Sequence, residues 1–184
     1  MKTFILTLVF ASCLDGTLNA QPGQIGVYAD AAGAQCDIFY GNYGLTWFYI
    51  VHTATTGARG VRFSAPAPVC LAEAQWVYDQ SPYTITAGDS QNGVTVSYGS
   101  CVSSPIHVLS IPYFSVGLGA PPCCLYPVLP DPGAASGQIE VVDCEGATVL
   151  AEGLVSTVNG NATCPCGIVP TASTTWGQIK ALYR

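Results

Sequence analysis

LTWFYIVHTAT, residues 45–55, is the stretch that decides the fold. In an extended conformation Trp47, Tyr49, Val51 and Thr53 fall on one face, and Phe48, Ile50 and His52 on the other. Both faces carry large apolar groups, and neither glycine nor proline interrupts the run. It therefore reads as a central strand of a sheet, with core packing expected for Trp47.

Outward from this strand, residues 22–170 are short apolar runs separated by Gly, Pro, Asn and Asp, with no sustained helical periodicity. Strands are predicted over 24–29, 36–39, 45–55, 60–64, 93–98, 106–114, 137–142 and 148–154. Asp89-Ser90-Gln91-Asn92-Gly93 supplies an Asn-Gly turn ahead of VTVSY, and Glu145-Gly146 reads as a hairpin connection. GLGAPPCCLYPVLPDPG, residues 117–133, contains Pro121, Pro122, Pro127, Pro130 and Pro132, which bars a central strand and predicts a long crossover loop pinned by its two cysteines. The expected fold class is all-β: a disulfide-linked antiparallel β-sandwich with a short C-terminal helical tail.

The N-terminus sets the compartment. Lys2, the apolar run from Phe4 to Phe10 and on to Leu14, and a cut after Ala20 together predict a signal peptide over residues 1–20. A lipid-modified Cys13 is the rival reading. Residues 21–170 then form the β-sandwich domain, and 171–184 a linker with an amphipathic tail. No other run approaches the roughly 18 apolar residues of a membrane span.

The sequence has five Lys and Arg against eleven Asp and Glu, a net charge of −6. Lys2 and Asp15 leave with the leader, so only Arg59, Arg62, Lys180 and Arg184 remain, which argues against nucleic-acid binding. Charged residues are 9% of the sequence, against roughly a quarter in ordinary globular proteins. Such a surface is either solvated by hydroxyls and amides, or built to pack against copies of itself or a cell-surface matrix.

Eight cysteines follow the leader: Cys36, Cys70, Cys101, Cys123, Cys124, Cys144, Cys164 and Cys166. An even set behind a secretory leader predicts a disulfide framework. Adjacent Cys123 and Cys124 have Cα atoms about 3.8 Å apart, too close to bond each other, so they go to different partners. Cys144 is expected to join Cys164 or Cys166. The spacings match neither a CxxC redox pair nor a zinc site.

Catalytic signals are weak. His52 and His107 sit within apolar strands, and no nucleophile-elbow pattern accompanies them. Asp143 and Glu145 lie at a hairpin, Glu140 and Glu152 on separate strands, and no DxDxDG calcium loop occurs. No catalytic residue, metal or cofactor is expected. Asn161-Ala162-Thr163 is a glycosylation sequon by pattern. The best ligand candidates are Trp76, Tyr78 and Tyr83 in AQWVYDQ and just after it, where exposed aromatic rings would stack on sugars. In TTWGQIKALYR, residues 174–184, Thr175 and Gln178 have capping-box spacing and Trp176, Ile179 and Tyr183 share one helical face, with Lys180 and Arg184 toward its C-terminal end.

The start, GQIGVYADAAGAQCDI (residues 23–38), and the end, IEVVDCEGATVLAEG with NATCPCG and TTWGQIKALYR, resemble a group of small secreted bacterial proteins with no assigned activity. Those chains open on an IGVYFD-like strand and close on VDC, CPC and TWGxIKxLYR elements. The resemblance implies Gram-negative-type export and makes the terminal segment either a sorting tag or a helix docked on its own domain. YIVHTATTGARGVRFSAP, residues 49–66, is similar to the Ig-like and cohesin-like strand–turn–strand pattern. The expected role is a non-catalytic extracellular or cell-surface structural or interaction module. A carbohydrate-binding module and a secreted hydrolase are the alternatives.

Overall fold

The computed structural model describes residues 21–71, 73–117 and 119–165, and the backbone of 169 and 170. The leader, Cys166 and the tail with Trp176, Ile179 and Tyr183 lie outside the described residues.

The described chain is all-β. Its strands are β1 (Gln24–Tyr28), β2 (Tyr43–Thr53), β3 (Ala58–Phe63), β4 (Ala74–Trp76), β5 (Thr84–Asp89), β6 (Gly93–Val102), β7 (Ile106–Val116), β8 (Cys124–Pro127), β9 (Ile139–Asp143), β10 (Thr148–Val158) and β11 (Val169–Pro170). A single 3₁₀ turn at Val69–Leu71 is the helical content among the described residues.

The expected two sheets of a sandwich are replaced by one hydrogen-bonded path, β4-β7-β2-β1-β10-β9-β3-β6-β5, with β8 and β11 also paired to β10. The pairing is mixed. β1 joins β10 in parallel, Gln24 opposite Glu152 and Ile25 opposite Gly153, and this pair fuses what would otherwise be two antiparallel sheets. The sheet curls because its inner face must be dry. Phe48 of β2 lies with its ring centroid 5.4 Å from those of both Tyr113 on β7 and Tyr126 on β8. Val61, Phe63, Val94 and Val96 from the other half of the path belong to the same buried cluster.

β2 is central, as its composition predicts: β1 pairs along one side and β7 along the other. Phe48, Ile50 and His52 are fully buried. Pro112 occupies β7 without breaking its ladder to β2. The Pro112 carbonyl accepts from Val77 N–H (3.1 Å), on the side where β4 has just ended at Trp76, so the missing N–H faces that side too. The proline-rich stretch is not wholly a loop. Cys124–Pro127 pairs with the end of β10 because Cys124 and Tyr126 alternate into the core.

The predicted strand at 36–39 shrinks to one bridge between Ile38 and Val158. Both predicted turns form: Asp89 pairs with Gly93 across the β5–β6 hairpin, and Asp143 N–H bonds Ala147 O across the β9–β10 turn.

Three disulfides are defined: Cys70–Cys124, Cys101–Cys144 and Cys123–Cys164. The adjacent pair does diverge to two partners. Cys144, however, bonds Cys101 rather than Cys164 or Cys166, because the β9–β10 turn lies across β3 from the end of β6. Cys36 is disulfide-bonded as well.

Gly57 makes room for one of these bridges. A Cβ there would stand 2.5 Å from the Cys144 sulfur and 2.9 Å from that of Cys101. Gly57→Ala is therefore expected to oppose closure of Cys101–Cys144 and lower stability by about 2–4 kcal/mol, the usual worth of a bridge. Thiol titration of the unfolded variant should find two more free thiols than wild type. A fully oxidised variant of unchanged denaturation midpoint would contradict this account.

Candidate functional site

The two faces of β2, β7 and β4 differ in fate. Phe48, Ile111 and Tyr113 turn inward. On the opposite face the ladder aligns Leu45 with Phe114, Phe114 with Gln75, Tyr43 with Val116, and Trp47 with Pro112. Tyr43 is 80% exposed, and Leu45, Phe114 and Val116 are each near half exposed. Trp47 is half-buried on this outward face, not in the core as expected, and Tyr78 reaches it edge-on at a centroid distance of 6.1 Å. With Tyr78 at the Pro112 end, the result is an apolar surface across β2, β7 and the segment that follows β4, to which β4 itself adds only Gln75.

Of the three predicted ligand-stacking residues Tyr78 borders this surface, whereas Trp76 pairs with inward-turning Tyr113 and so lies on the inner side of the edge strand β4. Trp76 is 38% exposed, and its Nε1–H donates to Asp79 Oδ1 at 3.2 Å. Asp79 in turn accepts from Ser90 N–H and Ser90 Oγ, which fixes it beside the β5–β6 turn. Tyr78 is 45% exposed. Tyr83 is elsewhere: the chain bends after β4, and the Tyr83 ring packs on Tyr98 at 4.8 Å against the core. It is not a stacking residue of the same face. Tyr43, Leu45, Phe114 and Val116 are the members that sequence reasoning missed, although the alternation in 106–116 would have placed Phe114 and Val116 opposite Tyr113.

The face has little positive charge of its own. Among the described residues the only cations are Arg59 and Arg62, both on β3, in the other half of the sheet. They flank an outward groove of about 320 Å³ lined also by Gly60, Ser97, Glu140 and Val142. Arg62 is engaged by Asp131 at 2.7 Å and Glu140 at 3.7 Å, and Arg59 Nε donates to the Cys144 carbonyl. No aromatic ring lines that groove.

Both histidines are hydrogen-bonded. His107 Nε2 is 2.9 Å from Ser110 Oγ, but Ser110 is buried and its backbone N–H and C=O are both bonded to Gln80. Among the described residues no carboxylate orients either imidazole, and no three His, Cys, Asp or Glu side chains converge as a metal site would require. No protein-family model matches the chain, and comparison with curated proteins finds no match.

His52 is a structural group with a pH signature. It is fully buried, its Nε2–H donates to the Pro22 carbonyl at 2.7 Å, and its Nδ1 faces Tyr98 Oη at 3.4 Å. Burial pushes its pKa down to about 4, against a smaller opposing effect of the Pro22 bond. The unfolded chain then binds a proton that the folded chain refuses between pH 6.5 and 4. Stability from this group is complete above pH 6.5, falls by roughly 3 kcal/mol as pH drops to 4, and changes no further below. Urea unfolding midpoints measured across that window should slope downward in wild type and flatten in His52→Gln. Equal slopes in the two proteins would contradict the assignment.

Proposed function

We propose that this chain is a secreted, non-catalytic module of the extracellular space or cell surface that acts by contact, through the outward face of β2, β7 and β4. The observation that carries this reading is the aligned, exposed set Tyr43, Leu45, Trp47, Phe114 and Val116, which a domain working alone would be expected to cover or make polar. Three disulfides suit an oxidising compartment, and among the described residues no helix is long and apolar enough to cross a membrane. The leader pattern and the resemblance of both ends to secreted bacterial proteins support export. The Ig-like and cohesin-like pattern of residues 49–66 supports a structural or adhesive role rather than a chemical one.

A carbohydrate-binding role is the second reading, favoured by one arrangement. The edge-on pair Trp47–Tyr78 places an indole and a phenol ring on the outward face, and Trp76, held by Asp79, stands partly exposed at the same edge of the sheet on its inner side. Aromatic platforms with an anchored polar atom suit the apolar faces of sugar rings.

The test uses the purified, oxidised protein on a glycan array and in light scattering at high concentration, beside Phe114→Asp and Trp76→Ala. Self-association lost on Phe114→Asp supports a contact module, and glycan binding lost on Trp76→Ala supports the carbohydrate reading. A monomer that binds no glycan and is unchanged by Phe114→Asp contradicts both. Turnover on ester, peptide or glycoside substrates would contradict the non-catalytic assignment.

A further inference from the structure

We propose that the outward groove over Gly60 is a binding site for acidic sugars, in which Arg59 holds the ligand's carboxylate and hydroxyl side chains of β6 and β10 meet its ring hydroxyls. The groove lies in the other half of the sheet from the face of β2 and β7, so the site goes beyond the contact reading and makes no use of Trp76.

A break in the strand puts the cation there. Val61 and Phe63 of β3 turn inward, and strict alternation would send Arg59 inward as well. Against β9, however, Ala58 pairs with Asp143 and Gly60 with Val142, so Arg59 is one residue too many. A bulge of this kind re-aims the side chain of its extra residue. Arg59 thus comes out onto the groove, where its Nε–H donates to the Cys144 carbonyl at 2.9 Å. That bond orients the guanidinium with one of its five N–H groups. Arg59 makes no ion pair among the described residues, and its terminal nitrogens have no partner there. Arg62 is different, because Asp131 holds its Nε at 2.7 Å and Glu140 lies 3.7 Å from Nη1. The two carboxylates offset Arg62 and leave Arg59 as the open cation of the groove. In a chain of net charge −6, this is where a small anion meets attraction. A planar guanidinium with both terminal nitrogens free matches a carboxylate bidentately.

The rest of the lining suits a hydroxylated ligand. One row of paired residues on the outward face runs Ser97, Gly60, Val142, Thr148, from β6 through β3 and β9 to β10. The next row runs Thr95, Arg62, Glu140. Gly60 can carry no side chain, since a Cβ would stand 2.8 Å from the Val96 carbonyl oxygen. The first row therefore dips at its centre, and bare backbone beside Val142 makes a floor for the C–H face of a sugar ring. The hydroxyls of Thr95, Ser97 and Thr148 make no hydrogen bond among the described residues. Each can donate and accept, as pairing with sugar hydroxyls requires. Glu140 repels an anion at its own end, so the ligand's carboxylate belongs at the Arg59 end and its hydroxyls toward Glu140. Four strands make the row about 14 Å long, room for a disaccharide. The volume of about 320 Å³ is that of a small-ligand site.

Calorimetric titration of the oxidised full chain tests the site. The probes are disaccharides of galacturonate, glucuronate, mannuronate and guluronate, each beside its methyl ester, which keeps the ring hydroxyls and removes the charge. Arg59→Gln, Arg59→Lys, Thr148→Val and Trp76→Ala are titrated in parallel, with circular dichroism and disulfide content confirming that each is folded. Should Arg59→Gln fail that check, Arg59→Lys, which keeps the charge and loses the fork, and Thr148→Val, at an exposed position, carry the test.

The expected result is a uronate that binds wild type at least tenfold tighter than its ester does. Its affinity falls at least tenfold in the Arg59 variants and at least threefold in Thr148→Val, and is unchanged in Trp76→Ala. Binding of none of the four uronates would overturn the inference. So would an ester that binds as tightly as its acid, or equal affinity in wild type and the Arg59 variants. Sugar binding lost on Trp76→Ala and kept in Arg59→Gln overturns the groove but keeps the carbohydrate reading at the aromatic edge. The contact face is read separately by Phe114→Asp, which leaves the groove untouched.

Discussion

A chain of buried hydroxyls holds the curled sheet closed. Gln91 Nε2 donates to Tyr113 Oη (2.8 Å), Tyr113 donates to Tyr126 Oη (3.0 Å), and Tyr126 donates to the Ala65 carbonyl (2.9 Å). These groups come from the β5–β6 turn, β7, β8 and the segment after β3, and Phe48 of β2 packs against both phenol rings. A phenol buried without a partner would be costly, so each ring can sit in the core only while the two halves of the sheet stay together. Burial accordingly pushes the Tyr113 phenol up to about 12, and Tyr126 also well above its usual range.

With the inner face committed to this cluster, the outward face is left to composition and covalent links. The disulfides sit at the rim: Cys70–Cys124 ties the 3₁₀ turn to β8, and Cys101–Cys144 ties β6 to the β9–β10 turn. They limit how far the connections can move while leaving the outward side of β2 and β7 open. A chain with few charges has few ways to mark a surface as solvent-facing, and here an exposed aromatic and aliphatic set fills that side instead.

How much of this was legible in the sequence depends on how local the signal is. β2 could be read because apolar residues alternate on both faces over a long run, yet that pattern is ambiguous. It fits a strand buried on two sides as well as one buried on a single side, and β2 is both: on the side of Trp47, Val51 is fully buried while Tyr43 and Leu45 are exposed. β5 was illegible because TITAGD offers the core only Ile85; the strand exists because the Asp89–Gly93 turn folds it onto β6. β8 was hidden among prolines, its alternation only four residues long. The parallel pairing of β1 with β10, which turns two sheets into one, joins residues about 128 positions apart and leaves no local trace. Tyr83 was grouped with Trp76 and Tyr78 by spacing, but the bend after β4 breaks the period on which that grouping relied. The divergence of Cys123 and Cys124 followed from peptide geometry alone, whereas the partner of Cys144 depended on which turn crosses β3.

The central claim is that the two halves of the path are one cooperative unit closed by the Phe48–Tyr113–Tyr126 cluster. Native-state hydrogen exchange on the oxidised protein tests it most directly, by comparing the amides of Phe48 and Ile50 in β2 with those of Val61, Val96 and Val141 in the other half. The account predicts that both sets exchange only through global unfolding, with the same opening free energy and the same denaturant dependence. Amides of β3, β6 and β9 that open at a free energy lower by about 2 kcal/mol or more, while β2 stays closed, would show two separately stable sheets and contradict it.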